Sequence, residues 1–267
     1  MTKLEYTFKT DTLFKMLFVK NPDLLKHLVC ELLNIKIESI GQFIITNPEM
    51  PPESMGDKFC RLDINMTING QRVDLEIQVR NESDYPERVL FHWAKEYVSA
   101  LPSGKDYIDL PRTIIISIID FALFECKEFH SEFRPLEINR HEELTDKMTL
   151  HFFELKKLPN DINAKDMLLL WLALFKADTQ EELEKIRSLE EPVMEQAINA
   201  YYTITAESEF RERERLWERA RHNEASALRH ARDEGKEEGQ EEERKAIIEL
   251  LKSGKTLEEI ISELDKK

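Results

Sequence analysis

Two carboxylates, Asp63 and Glu76, and one amide, Gln78, lie on a segment whose pattern brings them together. It reads Arg61-Leu62-Asp63-Ile64-Asn65-Met66-Thr67-Ile68-Asn69-Gly70-Gln71-Arg72-Val73-Asp74-Leu75-Glu76-Ile77-Gln78-Val79-Arg80. Apolar residues alternate on both sides of Asn69-Gly70, and Asn-Gly between alternating runs is the strongest short-range signal of a tight β-hairpin. A two-residue turn there sets Ile68 opposite Gln71 and, counting back along both arms, Asp63 opposite Glu76. Facing carboxylates repel, at a cost of roughly 0.2–1 kcal/mol. A divalent cation turns that repulsion into a binding site. Asp…Glu-x-Gln on a hairpin therefore reads as the site of a metal-dependent hydrolase. The competing reading is a plain solvated face, because one side of an antiparallel hairpin often carries Asp, Glu, Gln and Arg toward water. Asp74, one pair nearer the turn, is expected to be solvated.

The surrounding chain supplies the elements that would hold this hairpin. Thr10-Asp11 starts a helix with Phe14, Leu17 and Phe18 on one stripe, and Asn21-Pro22 opens a second. Asp11 serves as its N-cap or assists the metal site. Residues 42–46 read as a strand and 51–56 as a loop. After Arg80, a capping run precedes a helix with the stripe Val89, Leu90, Trp93, Tyr97, Val98 and Leu101. The β-branched run 112–119 is the pattern of a strand buried on both faces. Two further strand candidates fall at 133–138 and 150–155. From residue 164 the chain turns helical, beginning with an all-apolar run, 168–175, that must be buried. This alternation implies an α/β fold with a mixed sheet.

Composition narrows the function classes. The net charge of −15 argues against coating nucleic acid or an anionic membrane through the overall field, while leaving room for a local basic groove. No apolar run is long enough to span a bilayer, and no apolar signal region opens the sequence, so no membrane partner is expected. The three cysteines, Cys30, Cys60 and Cys126, are scattered without a Cys-x-x-Cys. That fits unpaired thiols in a reducing cytoplasm, each expected to be a small buried hydrophobe. The histidines show no zinc-ligand spacing.

With the hairpin set between a capped helix and a buried strand, residues 11–158 resemble the PD-(D/E)XK nuclease family transposases, also described as the Rpn family of recombination-promoting nucleases. The resemblance rests on an ordered series. It begins with Thr10-Asp11-Thr12-Leu13-Phe14-Lys15 and Leu62-Asp63. Val73-Asp74-Leu75-Glu76-Ile77-Gln78 and Tyr85-Pro86-Glu87-Arg88-Val89-Leu90 follow. Gly104-Lys105-Asp106-Tyr107 then leads into Ile114-Ile115-Ile116-Ser117-Ile118-Ile119. It implies a restriction-endonuclease-like mixed sheet flanked by helices, and Mg2+-dependent hydrolysis of phosphodiester bonds in DNA. Carried onto this chain, Asp63 and Glu76 hold the metal with the Ile77 carbonyl as third ligand. Gln78 stands where the wider superfamily has a lysine that orients or activates the attacking water. Gln bonds a water without carrying charge. Arg88, one turn into the following helix, either reaches a substrate phosphate or pairs with Glu82, Glu87 or Asp84.

The expected organisation is a nuclease-like core over residues 1–160, a helical extension packing on it over 161–206, and a charged helical tail over 207–267. Gly235 and Gly239 interrupt the tail, and a helical hairpin around Gly254 ends it. The tail is either a solvated helix laced with i,i+4 ion pairs or an oligomerisation helix anchored by Leu216, Trp217 and Leu228. Two functions follow. One is an intracellular DNA endonuclease of limited sequence specificity that serves recombination or a mobile element. The other is a nuclease fold without useful chemistry that binds partners or its own copies.

Overall fold

The computed structural model describes residues 2–47, 63–101, 104 and 106–252. Its elements are α1 (Asp11–Lys20), α2 (Pro22–Leu33), β1 (Phe43–Ile45), β2 (Ile64–Ile68), β3 (Gln71–Gln78), α3 (Tyr85–Ser99), β4 (Thr113–Ile119), β5 (His130–Phe133), β6 (Met148–Glu154), α4 (Met167–Lys176), α5 (Gln180–Arg187), α6 (Pro192–Ala206) and α7 (Ser208–Lys252). The chain divides into a unit over residues 1–213 and a second over 214–267.

In the first unit the strands form one mixed sheet in the order β1-β2-β3-β4-β6-β5. β1, β2 and β3 run antiparallel, β3, β4 and β6 parallel, and β5 antiparallel on the far edge. This is the α/β architecture expected, with helices on both faces. The expected strand at 112–119 appears as β4, buried at every position. Its Ile114, Ile116 and Ile118 face a core shared with α1, α2, α4 and α6, while Ile115 and Ile119 pack with Tyr85 and Val89 of α3. Fully burying side chains of this size contributes about 1.5–3 kcal/mol each, so two covered faces are what fix β4 as the sheet's centre. The all-apolar run becomes α4, buried from Leu170 to Phe175, with the Asp166 side chain accepting from the Leu169 N–H at 3.0 Å as its cap.

Three expectations are corrected. The fifth strand lies at His130–Phe133 rather than at 133–138. Pro135 has no N–H to give a ladder, and the chain leaves the sheet before it. Thr10, not Asp11, is the N-cap of α1. Cys126 is exposed, whereas Cys30 is buried; Cys60 lies outside the described residues.

In the second unit the helix begun at Ser208 continues to Lys252. Gly235 and Gly239 do not interrupt it, although each costs about 1 kcal/mol relative to Ala. The i,i+4 ion pair Lys245–Glu241 at 3.7 Å lies on its exposed surface, contributing a few tenths of a kcal/mol, about 0.2–0.5. The side chain of Leu228 and the expected hairpin around Gly254 lie outside the described residues.

Candidate active site

The hairpin forms in the expected register. Asn69 and Gly70 both take positive φ, 48° and 80°, the conformation a two-residue turn needs to match the strand twist. The Asn69 Oδ1 also accepts from the Gly41 and Gln42 N–H groups at 2.9 and 3.0 Å. Ile68 pairs with Gln71 and Ile64 with Leu75. Asp63, the residue before β2, therefore falls opposite Glu76. The hydrogen-bonding direction of this pair follows from its neighbours. The Gln78 carbonyl accepts from the Asp120 N–H on the β4 side, and the Arg72 N–H donates to the Arg112 carbonyl there. Even-numbered residues of β3 thus bond toward β4, so the register carried one residue past its last pair, Ile64 and Leu75, brings 63 into line with 76 at a non-hydrogen-bonded position. In such pairs the Cα atoms approach to about 4.5 Å and side chains come closest.

The Asp63 backbone is held from the other direction. Its carbonyl accepts from the Asn47 Nδ2 and from the Lys15 Nζ, each at 3.0 Å. Asn47 Oδ1 accepts from the Asn65 N–H at 2.8 Å, so one side chain bridges the entry to β2. Lys15 is only 2% exposed. A lysine is almost never buried unless it is paired, and here α1 delivers its ammonium to the backbone of the candidate ligand.

Glu76 is 4% exposed. Its Oε1 accepts from the Tyr85 hydroxyl at 2.6 Å and the Ser117 hydroxyl at 2.7 Å. Tyr85 opens α3, and Ser117 is the register partner of Glu76 on β4. Both donors are fully buried. A buried carboxylate needs such donors, because desolvating it without them costs several kcal/mol, roughly 2–7 for even a neutral polar group.

Gln78 lies on the same face, two residues beyond Glu76, with its Nε2 donating to the Arg80 carbonyl at 2.8 Å. Ile77 is buried. By the alternation just described, its carbonyl points to the β2 side, where its register partner, residue 62, is outside the described residues. Arg88 pairs with Glu82, one of its expected partners, and its guanidinium lies 4.9 Å above the Tyr85 ring. Its Nε and Nη2 are buried without hydrogen-bond partners among the described residues. The ring that carries Arg88 is thus the ring whose hydroxyl holds Glu76. Asp74 is 8% exposed, not solvated as expected. α3 lies over this face, and a cavity of about 240 Å3 lined by Asn65, Arg72, Asp74 and Glu96 opens beside it.

A model of the PD-(D/E)XK nuclease family transposases matches residues 8–231. The chain belongs to that family. No curated protein and no solved structure matches it. A PD-(D/E)XK nuclease family transposase carries a nuclease-like domain, and PD-(D/E)XK nucleases generally use divalent metals. The donor set here fits such an ion. Among the described residues there is no cluster of three or more His, Cys, Asp or Glu. The expected ligands, the Asp63 and Glu76 carboxylates and the Ile77 main-chain carbonyl, are all hard oxygens. That is the sparse set a small dication accepts when waters and substrate oxygens complete its shell.

Sequence reasoning missed Tyr85, Ser117 and Lys15. Ser117 had a signal, as the only polar residue within Ile114-Ile115-Ile116-Ser117-Ile118-Ile119. A hydroxyl in a run buried on both sides must find a partner.

Proposed function

We propose that this protein is a Mg2+-dependent DNA endonuclease of low sequence specificity, hydrolysing phosphodiester bonds at Asp63, Glu76 and Gln78 and serving recombination or a mobile element. The observation that supports this reading is the β2–β3 register, which, carried one residue past Ile64–Leu75, brings Asp63 into line with Glu76, in a chain of this family. Asp63, Glu76 and the Ile77 carbonyl would hold the ion. When bound, it polarises the phosphoryl group and lowers the pKa of a coordinated water. Gln78 has its amide N–H on the Arg80 carbonyl, so its Oε1 is the atom that accepts from and orients the attacking water. Arg88 binds the substrate phosphate by exchanging Glu82 for it, with its Nε and Nη2 hydrogens completing a forked contact. The charged helix α7 brings copies of the chain together.

Nicking of supercoiled plasmid in Mg2+ and in EDTA tests the reading. The native chain cuts only with Mg2+, and Asp63→Ala and Glu76→Ala both lose cutting. Arg88→Ala keeps the metal dependence but raises KM about 10–100-fold, the loss of a hydrogen bond to a charged group at about 1.5–3 kcal/mol. Cutting that survives both carboxylate substitutions refutes the site. Absence of cutting by folded native protein favours a nuclease fold that works by binding alone.

A further inference from the structure

The Glu76 side chain is grasped by two other buried side chains, and both grasp the same oxygen. The Tyr85 and Ser117 hydroxyls each donate to Oε1. A carboxylate oxygen has two lone pairs directed for hydrogen bonds, so these two donors saturate Oε1 and fix the rotation of the carboxylate. The donors themselves do not wander. Ser117 is set by the β3–β4 register, directly beside Glu76. The Tyr85 ring meets Phe121 edge-on at 5.5 Å and Phe152 at 6.4 Å, and Arg88 covers its face. Strand register and aromatic packing thus converge on one oxygen atom.

We infer that Tyr85 and Ser117 are positioning residues that make Glu76 a one-oxygen ligand, presenting Oε2 alone to a small octahedral dication. This inference rests on the proposed metal site and deepens it. A carboxylate free to rotate can clasp an ion with both oxygens, the mode Ca2+ accepts in its larger, flexible shell. Mg2+ and Mn2+ sites with near-octahedral geometry take single oxygens. Clamping Oε1 therefore tightens binding of the small ions and discriminates against Ca2+. Partners that orient a ligand typically change metal affinity by about 10–100-fold when removed.

The test is Mn2+ binding to the full-length protein, by titration calorimetry or by the free-Mn2+ electron paramagnetic resonance signal, with Ca2+ competition. It compares the native chain with Glu76→Gln, Tyr85→Phe and Ser117→Ala. Expected are near-complete loss in Glu76→Gln, about 10-fold weaker Mn2+ binding in each hydroxyl deletion, and a smaller Mn2+/Ca2+ preference in both. A merely structural role would not move that preference. Ser117→Ala leaves the Tyr85 packing untouched, so it decides the matter if Tyr85→Phe does not fold. Unchanged affinity and preference in the hydroxyl deletions, with Glu76→Gln still defective, overturn the inference and leave the metal site standing. Unchanged binding in Glu76→Gln overturns the metal site itself.

Discussion

Asp63→Asn reverses its effect on stability when metal is added. Without metal, the native protein holds Asp63 at the entry to β2, one residue beyond the last pair of the β2–β3 register and in line with the 4%-exposed Glu76. Two charges about 5 Å apart repel by about 0.8 kcal/mol in bulk water and about 3 kcal/mol at an effective dielectric of 20. Like charges facing each other across strands cost roughly 0.2–1 kcal/mol. The Lys15 ammonium on the Asp63 carbonyl offsets part of this, which leaves a few tenths of a kcal/mol, about 0.2–0.5. In EDTA, Asp63→Asn is therefore more stable than the native chain by about that amount. In Mg2+ at a hundred times its dissociation constant, the native chain gains about 2.7 kcal/mol and the variant close to none. The order inverts, and the native chain leads by about 2 kcal/mol. Urea unfolding at constant slope, followed by tryptophan fluorescence with Trp171 fully buried in the core, measures both states. The reasoning is refuted if Asp63→Asn is no more stable than native in EDTA, or if Mg2+ stabilises the two chains equally.

Two predictions concern the far side of the sheet. Burial holds the His151 imidazole down at about 4 and also lowers His130, whose Nε2 lies 3.0 Å from His151 Nδ1. The unfolded chain takes up these protons first, so stability is full above about pH 6.5 and falls as pH drops toward 4. The His151 contribution is about 3 kcal/mol; His151→Phe flattens that slope in urea unfolding measured from pH 7 to 4, and an unchanged slope refutes the assignment. Glu154 has no side-chain exposure, accepts from the Leu123 and Phe124 N–H groups at 2.6 and 3.3 Å, and pairs with Lys157 at 2.5 Å. Glu154→Leu strands these donors and costs about 3–5 kcal/mol in the same assay, whereas Glu154→Leu with Lys157→Met recovers part of the loss; a cost under about 1 kcal/mol for the single change refutes it.

The hairpin and the Asp63–Glu76 register were legible because Asn-Gly fixes the turn and a period of two fixes everything behind it. β4 was legible because a strand buried on both faces has an unbroken β-branched run. The state of Asp74 was not, since the alternation that marks a solvated face is identical to one covered by a helix. Whether α3 lies over the hairpin is decided by Tyr85, Val89 and Trp93 meeting β4 and β6, residues far apart in sequence. The donors to Glu76 were hidden for a similar reason. Tyr85 reads as a helix-opening aromatic, and only the fold shows its hydroxyl beneath a strand. β5 was misplaced because edge strands are short and weakly patterned, and His130-Ser131-Glu132-Phe133 carries no alternation.

The seat of α1 has a consequence for how the protein is made. Lys15 reaches Asp63 from α1, and several partners of residues 4–9, just ahead of α1, lie late in the chain. The Leu4 N–H donates to the Asp178 carbonyl, Lys9 pairs with Asp178 at 2.9 Å, Phe8 stacks on Tyr201 at 4.9 Å, and Tyr6 meets Phe210 edge-on. During synthesis, at about 5–20 residues per second, all six strands have emerged while residues 4–9 still lack these partners. The segment leading into α1 is therefore translated first and meets these partners last. A nascent chain that stops short of α6 holds all six strands of the sheet but lacks the Tyr201 and Phe210 contacts of its first residues.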